Sequence, residues 1–176
     1  MLRNTLIAGV VVLVSALATY SASADSTQLT DPQIANIAYT AGQIDIEAAE
    51  LALKKTENAD VRAFAELMAR DHTAVNDQAL ALVKRLNVTP EDNSTSAALT
   101  KQAADTKARL EKLSGVEFDR AYIENEVAYH TTVNGALKTT LIPGAQNAEL
   151  KALLETGLTL FQEHQVHAEH LAAMVK

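Results

Sequence analysis

The 176-residue chain has no cysteine, no tryptophan, six glycines, three prolines and seven residues that are Phe or Tyr. Without cysteine, disulfides, thiolate metal ligands and a cysteine nucleophile are excluded. Lys and Arg number 15 against 22 Asp and Glu, a formal net charge of −7. Nucleic acid and anionic lipid both need a basic footprint, so neither is expected as a partner. Long hydrophobic runs are also missing, with one exception at the start of the chain. No Gly-rich phosphate loop, Ser-His-Asp ordering or nucleophile elbow occurs, so no reaction can be read from a motif, which leans against an enzyme and leaves the question open.

The exception is "MLRNTLIAGVVVLVSALATYSASAD". Arg3 supplies a short positive segment, residues 6–17 an apolar run, and Ala22-Ser23-Ala24 a small-x-small cleavage site. The run is too short for a comfortable membrane span. Residues 1–24 are therefore expected to be a cleaved signal peptide and residues 25–176 one exported, periplasmic domain with no membrane contact after cleavage. Losing Arg3 takes the formal charge from −7 to −8. About 150 residues remain, enough to bury a core without covalent staples.

What remains is rich in Ala, Leu, Glu, Lys and Gln, and the few Gly and Pro stand at breaks, as an all-α chain requires. "TDPQ" offers Thr30 or Asp31 as a cap and Pro32 at the first helical position. The helix it opens carries Ile34, Ile37, Ala41, Ile44, Ala48 and Leu51 at steps of three and four. After a break near Asn58, a second helix has the seam Val61, Ala65, Met68, His72, Val75, Ala79, Leu82 and Leu86. "NVTPEDNST" reads as a loop, and a short helix with little apolar content follows over about 96–113. A helix over 116–141 aligns Ile123, Val127, His130, Asn134, Leu137 and Leu141, and the last runs over about 147–175. Four long amphipathic helices in two tight pairs, joined by a long crossover, predict an all-α, ferritin-like four-helix bundle with a short crossover helix.

The last helix holds "LFQEHQVHAEHLAAM", with histidines at intervals of three. At about 100° per residue, His164 falls on the core direction set by Leu150, Leu153, Gly157, Leu160 and Leu171. His167 falls at the edge of that stripe, and His170 in solvent. His72, His130 and His164 each stand near the middle of their helix, and in an up-down bundle midpoints share a height. Their imidazoles are expected within about 8 Å of one another. Nearby carboxylates are Glu126, one turn before His130, and Asp45 and Glu47, which flank the first helix's stripe on opposite sides. Asp71 is placed to reach the site or to hold a neighbouring imidazole. Tyr122 and Tyr129 are expected at the core edge with their hydroxyls at the rim.

The residues that pattern assembles as metal ligands are His72, His130 and His164, completed by Glu126, Asp45 or His167. Imidazole and carboxylate without thiolate suit Zn, Cu(II) or Fe and do not select among them. Glu-x-x-His pairs of the di-iron type are absent: Ala69 and Val127 precede His72 and His130 by three. The alternative is a purely structural polar core in an envelope stress or interaction protein.

"DPQIANIAYTAGQIDIEAAELALKK", "VRAFAELMARDHTAVNDQALALVKRLNVTPEDN", "FDRAYIENEVAYH", "LIPGAQNAELKALL" and "HQVHAEH" together resemble the exported ferritin-like family known as domain of unknown function 4142. The resemblance covers nearly all of the chain after the leader. It implies a periplasmic bacterial helical bundle without an established biochemical role, and its pattern falls on Asp71, His72, Asp119, Tyr122, Glu126, His130 and His164. At Asp45, members of the family commonly carry Glu.

Overall fold

Four of the helices begin where a side chain can accept from otherwise unpaired backbone N–H groups, whereas Ser114, ahead of the helix Gly115–Ala136, makes no such bond. Thr30 and Gln33 form a capping box ahead of α1 (Asp31–Lys55). Asn58, Asn93 and Asn147 cap α2 (Ala59–Arg85), α3 (Ser94–Leu110) and α6 (Ala148–Met174), each accepting from two backbone N–H groups. Between α3 and α6 lie α4 (Gly115–Ala136), a π-helical stretch at Leu137–Leu141 and the single turn α5 (Ile142–Gly144). Pro143 has no N–H to continue the ladder, and the chain leaves α4 by this widened turn. The computed structural model describes residues 28–175, and the expected leader at residues 1–24 lies outside the described residues. Among the described residues no helix is long and apolar enough to cross a membrane.

The result is a ferritin-like four-helix bundle. Three residues join α1 to α2, so the two run antiparallel, and α4 pairs in the same way with α6. The crossover helix α3 lies outside the bundle against α1. Both carboxylate oxygens of Asp31 accept from the Gln146 and Asn147 backbones at 2.8 Å, which ties the start of α1 to the start of α6.

α3 corrects the reading of α1. Ile34, Ile37 and Ala41 are buried as their spacing predicts, but beyond them the buried positions are Asp45, Ala49 and Ala52. Ile44, Ala48 and Leu51 are half-buried and turn toward Leu99, Ala103 and Leu110 of α3. A helix with partners on two sides carries two apolar faces, and a single stripe drawn through both displaces the core by one residue. Asp45 is thus a core residue rather than a flanking one, and Glu47 is exposed.

The core falls into two apolar clusters. One is built around Phe64, Met68, Phe118, Tyr122 and Leu171, the other around Ile34, Leu82, Leu141, Leu150 and Phe161. Each such side chain stabilises the fold by about 1.5 to 3 kcal/mol on burial. Between the clusters, where apolar contact would otherwise be continuous, the middle of every long helix contributes a polar or ionisable group.

Candidate metal centre

The polar layer consists of Asp45 from α1, His72 from α2, Glu126 and His130 from α4, and His164 from α6. Their exposures are 3, 1, 1, 1 and 2%. The three imidazole centroids are 5.3 to 5.7 Å apart, inside the 8 Å expected from matched helix midpoints. One ring nitrogen from each lies within 4.8 Å of the other two, and Asp45, Glu126 and His130 offer a second such trio. Phe161 stacks on His72, with centroids 4.4 Å apart and planes 10° from parallel, and its burial was not expected from the sequence.

Two of the three imidazoles, His130 and His164, have one nitrogen held and one bare, and His72 has both bare. His130 Nδ1 lies 3.0 Å from the Glu126 backbone carbonyl, which can only accept, so Nδ1 carries the proton and Nε2 keeps its lone pair. His164 Nε2 donates to Asp71 Oδ2 at 3.1 Å, leaving Nδ1 bare. Asp71 therefore holds an imidazole, as expected, but that of His164 rather than its neighbour His72; its other oxygen accepts from Arg70 at 2.7 Å. His72 Nε2 lies 3.4 Å from Asp45 Oδ2. Neither nitrogen of His72, nor His130 Nε2 nor His164 Nδ1, has a hydrogen-bond partner among the described residues.

The electrostatics follow from burial. Desolvation pushes His72 well below its ordinary range, with the neighbouring imidazoles adding to the effect. It lowers His130 to about 4 against the pull of the Glu126 carbonyl, and lowers His164 against the pull of Asp71. At neutral pH all three are uncharged and their bare nitrogens can act as ligands. Burial raises Glu126 to about 7, and burial plus the Glu126 charge raises Asp45 well above the carboxylate range. For Glu126 burial outweighs the Asp45 and Asn125 side chains, which pull the other way.

A tetrahedral ion with bonds of about 2.0 to 2.1 Å holds its ligand atoms about 3.3 to 3.4 Å apart. The His72–Asp45 separation already matches that edge. The longer separations, up to 4.8 Å, exceed that edge by up to about 1.4 Å (4.8 less 3.4), so the side chains draw together for one ion to be held by all of them.

The half-buried His167 ring, expected at the edge of the stripe and as a candidate ligand, stands edge-on to Phe64 with centroids 5.2 Å apart, outside both trios, and His170 is exposed as expected. Tyr129 donates to the Ala41 carbonyl at 3.1 Å. The Tyr122 hydroxyl is not at the rim: the residue is fully buried between Phe64 and Phe118, and its hydroxyl has no partner among the described residues. Asn76, one turn after His72, also joins the core, where the missing side chain of Gly42 makes room for it; a Cβ there would stand 2.4 Å from Asn76 Oδ1. A hollow of about 370 Å³ between α1, α3 and α4 is lined by none of the histidines.

Comparison with known proteins places this geometry in a family. A family model described as a domain of unknown function (DUF4142) matches residues 16–171. A crystal structure described as that of a secreted protein of family DUF305, from Streptomyces coelicolor, superposes with a TM-score of 0.67 at 12% identity. The match covers 81% of this chain and 91% of that one, and it shows the shared helical fold. No curated protein matches the sequence.

Proposed function

The chain belongs to the DUF4142 family, and we propose that it is an exported bundle that binds one transition metal ion in its central layer. His72, His130 and His164 would be the nitrogen ligands, with Asp45 or Glu126 as the oxygen donor. One observation carries the reading: three neutral imidazoles from three helices each offer a ring nitrogen within 4.8 Å of the others, and four of their six ring nitrogens have no hydrogen-bond partner among the described residues. A buried polar group without a partner costs about 1 to 3 kcal/mol, and four such nitrogens in one layer make a shared ligand the economical explanation. The donor set fits Zn, Cu(II) or Fe. Export is supported by the leader-like sequence "MLRNTLIAGVVVLVSALATYSASAD", and the secreted relative in fold agrees with it.

A purely structural polar core, suited to an envelope stress or interaction protein, is the second reading. It is favoured by the Glu126 carbonyl and Asp71, which satisfy one nitrogen each of His130 and His164 without any ion.

Elemental analysis of the native protein, purified from the periplasmic fraction without a histidine tag, separates the two. About one Zn, Cu or Fe per chain is expected, on a chain whose intact mass begins at Asp25. Metal-free protein that takes up none of the three when dialysed against them would sink the metal reading.

A further inference from the structure

Three histidines stand on α6 at intervals of three, and the central layer uses only His164. Successive members rise about 4.5 Å along the helix and step about 60° around it, so the row crosses the helix obliquely. Burial follows the row: His164 is 2% exposed, His167 is half-buried against Phe64, and His170 is in solvent. Side chains three apart on a helix are neighbours, so His167 stands one step from His164 and His170 one step from His167.

A bare ion cannot cross into a buried layer, because shedding all its waters without replacement costs far more than any site returns. It must exchange waters for protein donors stepwise. We infer that His167 and His170 form a landing site for a divalent transition metal ion on the face of α6 and pass it by ligand exchange to His164. This rests on the metal reading of the central layer. Other approaches offer worse donors. Asp71, beside His164, is already held by Arg70 and His164. The hollow between α1, α3 and α4 is lined by amides, hydroxyls and apolar groups, with Glu47 its one carboxylate, the Lys107 ammonium, which repels a cation, and no imidazole.

A residue on the path and a residue in the final shell leave different kinetic marks. A path residue changes the barrier, so its loss slows binding and release by the same factor and leaves Kd unchanged. A ligand's loss weakens Kd, chiefly through faster release.

The test uses metal-stripped mature protein and Co(II), whose visible absorption is strong in a tetrahedral site and weak in a hydrated surface site. Stopped-flow mixing gives the loading rate, transfer to excess chelator the release rate, and competition titration the Kd. The variants are His170→Ala, His167→Leu, which keeps apolar contact with Phe64, and Ala103→Phe, which fills the α1–α3–α4 hollow. Metal-free melting curves check that each is folded.

For the His167→Leu, His170→Ala double variant, loading and release should both slow by roughly five- to tenfold, equivalent to about 1 to 1.4 kcal/mol in the barrier. Its Kd should match the parent's, and Ala103→Phe should change none of the three. With a parent that takes up Co(II), unchanged rates in the double variant, a weakened Kd, or slowing by Ala103→Phe alone would each overturn the route while leaving the core site standing. A parent that takes up none removes the site and the route together.

Discussion

Glu126→Gln tests the buried carboxyl pair directly, because Gln matches the protonated acid in size and cannot ionise. Burial raises Glu126 from 4.5 to about 7, so the folded chain holds a proton that the unfolded chain releases. Stability from this group is fully present below pH 4.5 and is lost as pH rises through about 7. Each unit of separation is worth about 1.36 kcal/mol, so some 2.5 units amount to about 3 kcal/mol lost by pH 8. Asp45, also raised, acts with the same sign. His72, His130 and His164 act with the opposite sign: their folded values are depressed, so their contribution is present above about 6.5 and lost as pH falls, for His130 through about 4.

The parent's pH profile is therefore a sum of opposed terms, whereas the difference between parent and variant removes those the histidines contribute to both. Urea denaturation of metal-free protein at pH 5 and pH 8 is the assay. Between those two values Glu126→Gln should gain roughly 2 to 3 kcal/mol on the parent, about 4 to 12 °C in Tm at 2 to 4 °C per kcal/mol. Saturating Zn should reverse the order at pH 8 if Glu126 supplies the oxygen donor. Parallel profiles for the two metal-free proteins would refute the argument, since they would mean that Glu126 carries no extra proton in the folded state.

Zn or Cu(II) at a hundredfold excess over Kd should stabilise stripped parent by about 2.7 kcal/mol, or roughly 5 to 11 °C in a melting curve. His130→Leu should abolish that gain and His170→Leu should keep most of it, because only the first contributes to the central layer. Gly42→Ala should lower stability by about 1 to 3 kcal/mol in denaturant titrations, as its Cβ would stand 2.4 Å from Asn76 Oδ1. Adding Asn76→Ala should cost less in that background than alone, a coupling that a double-mutant cycle reads directly. Tyr122→Phe removes a buried hydroxyl without a partner and should leave metal-free stability within about 1 kcal/mol of the parent, or raise it; a loss of 2 kcal/mol or more would mean that the hydroxyl is bonded.

The histidine layer was legible because two independent regularities met in it. The 3.6-residue period places His72, His130 and His164 on core faces, and the breaks that bound α2, α4 and α6 place all three near helix midpoints. Helix starts were legible for the same reason, with Thr30 and Asn58 announcing α1 and α2 before any packing is considered. Features that depend on a second partner were not. Asp45 was displaced to the flank because α3 gives Ile44, Ala48 and Leu51 an outer surface to cover, and nothing local to α1 announces α3. The Tyr122 hydroxyl was expected at the rim because a tyrosine usually keeps its polar end wet; Phe64 of α2 and Phe118 close over it instead. Phe161 lies one position beyond Leu160, which the sequence reading took as the core residue, and its stacking on His72 is a contact between helices.

The energetics of that layer also bear on why it exists. Two apolar clusters lie on either side of it, and apolar side chains of similar volume at Asp45, His72, Glu126, His130 and His164 would join them into one core. Replacing buried ionisable groups in this way is often neutral or stabilising by about 1 to 4 kcal/mol, so fold stability alone does not explain five of them at 3% exposure or less. A network kept only for packing specificity would be expected to satisfy its members on all sides, because half-satisfied polar groups cost stability and specify little. Here satisfaction is partial. Asp71 and the Glu126 carbonyl fix one nitrogen each of His164 and His130, while the other nitrogen of each, and both of His72, have no partner among the described residues. Holding one nitrogen of an imidazole so that the lone pair of the other points at a fixed place is what a ligand needs from its surroundings. The arrangement therefore distinguishes orientation from mere tolerance, and the His130→Leu melting experiment asks whether an ion makes use of it.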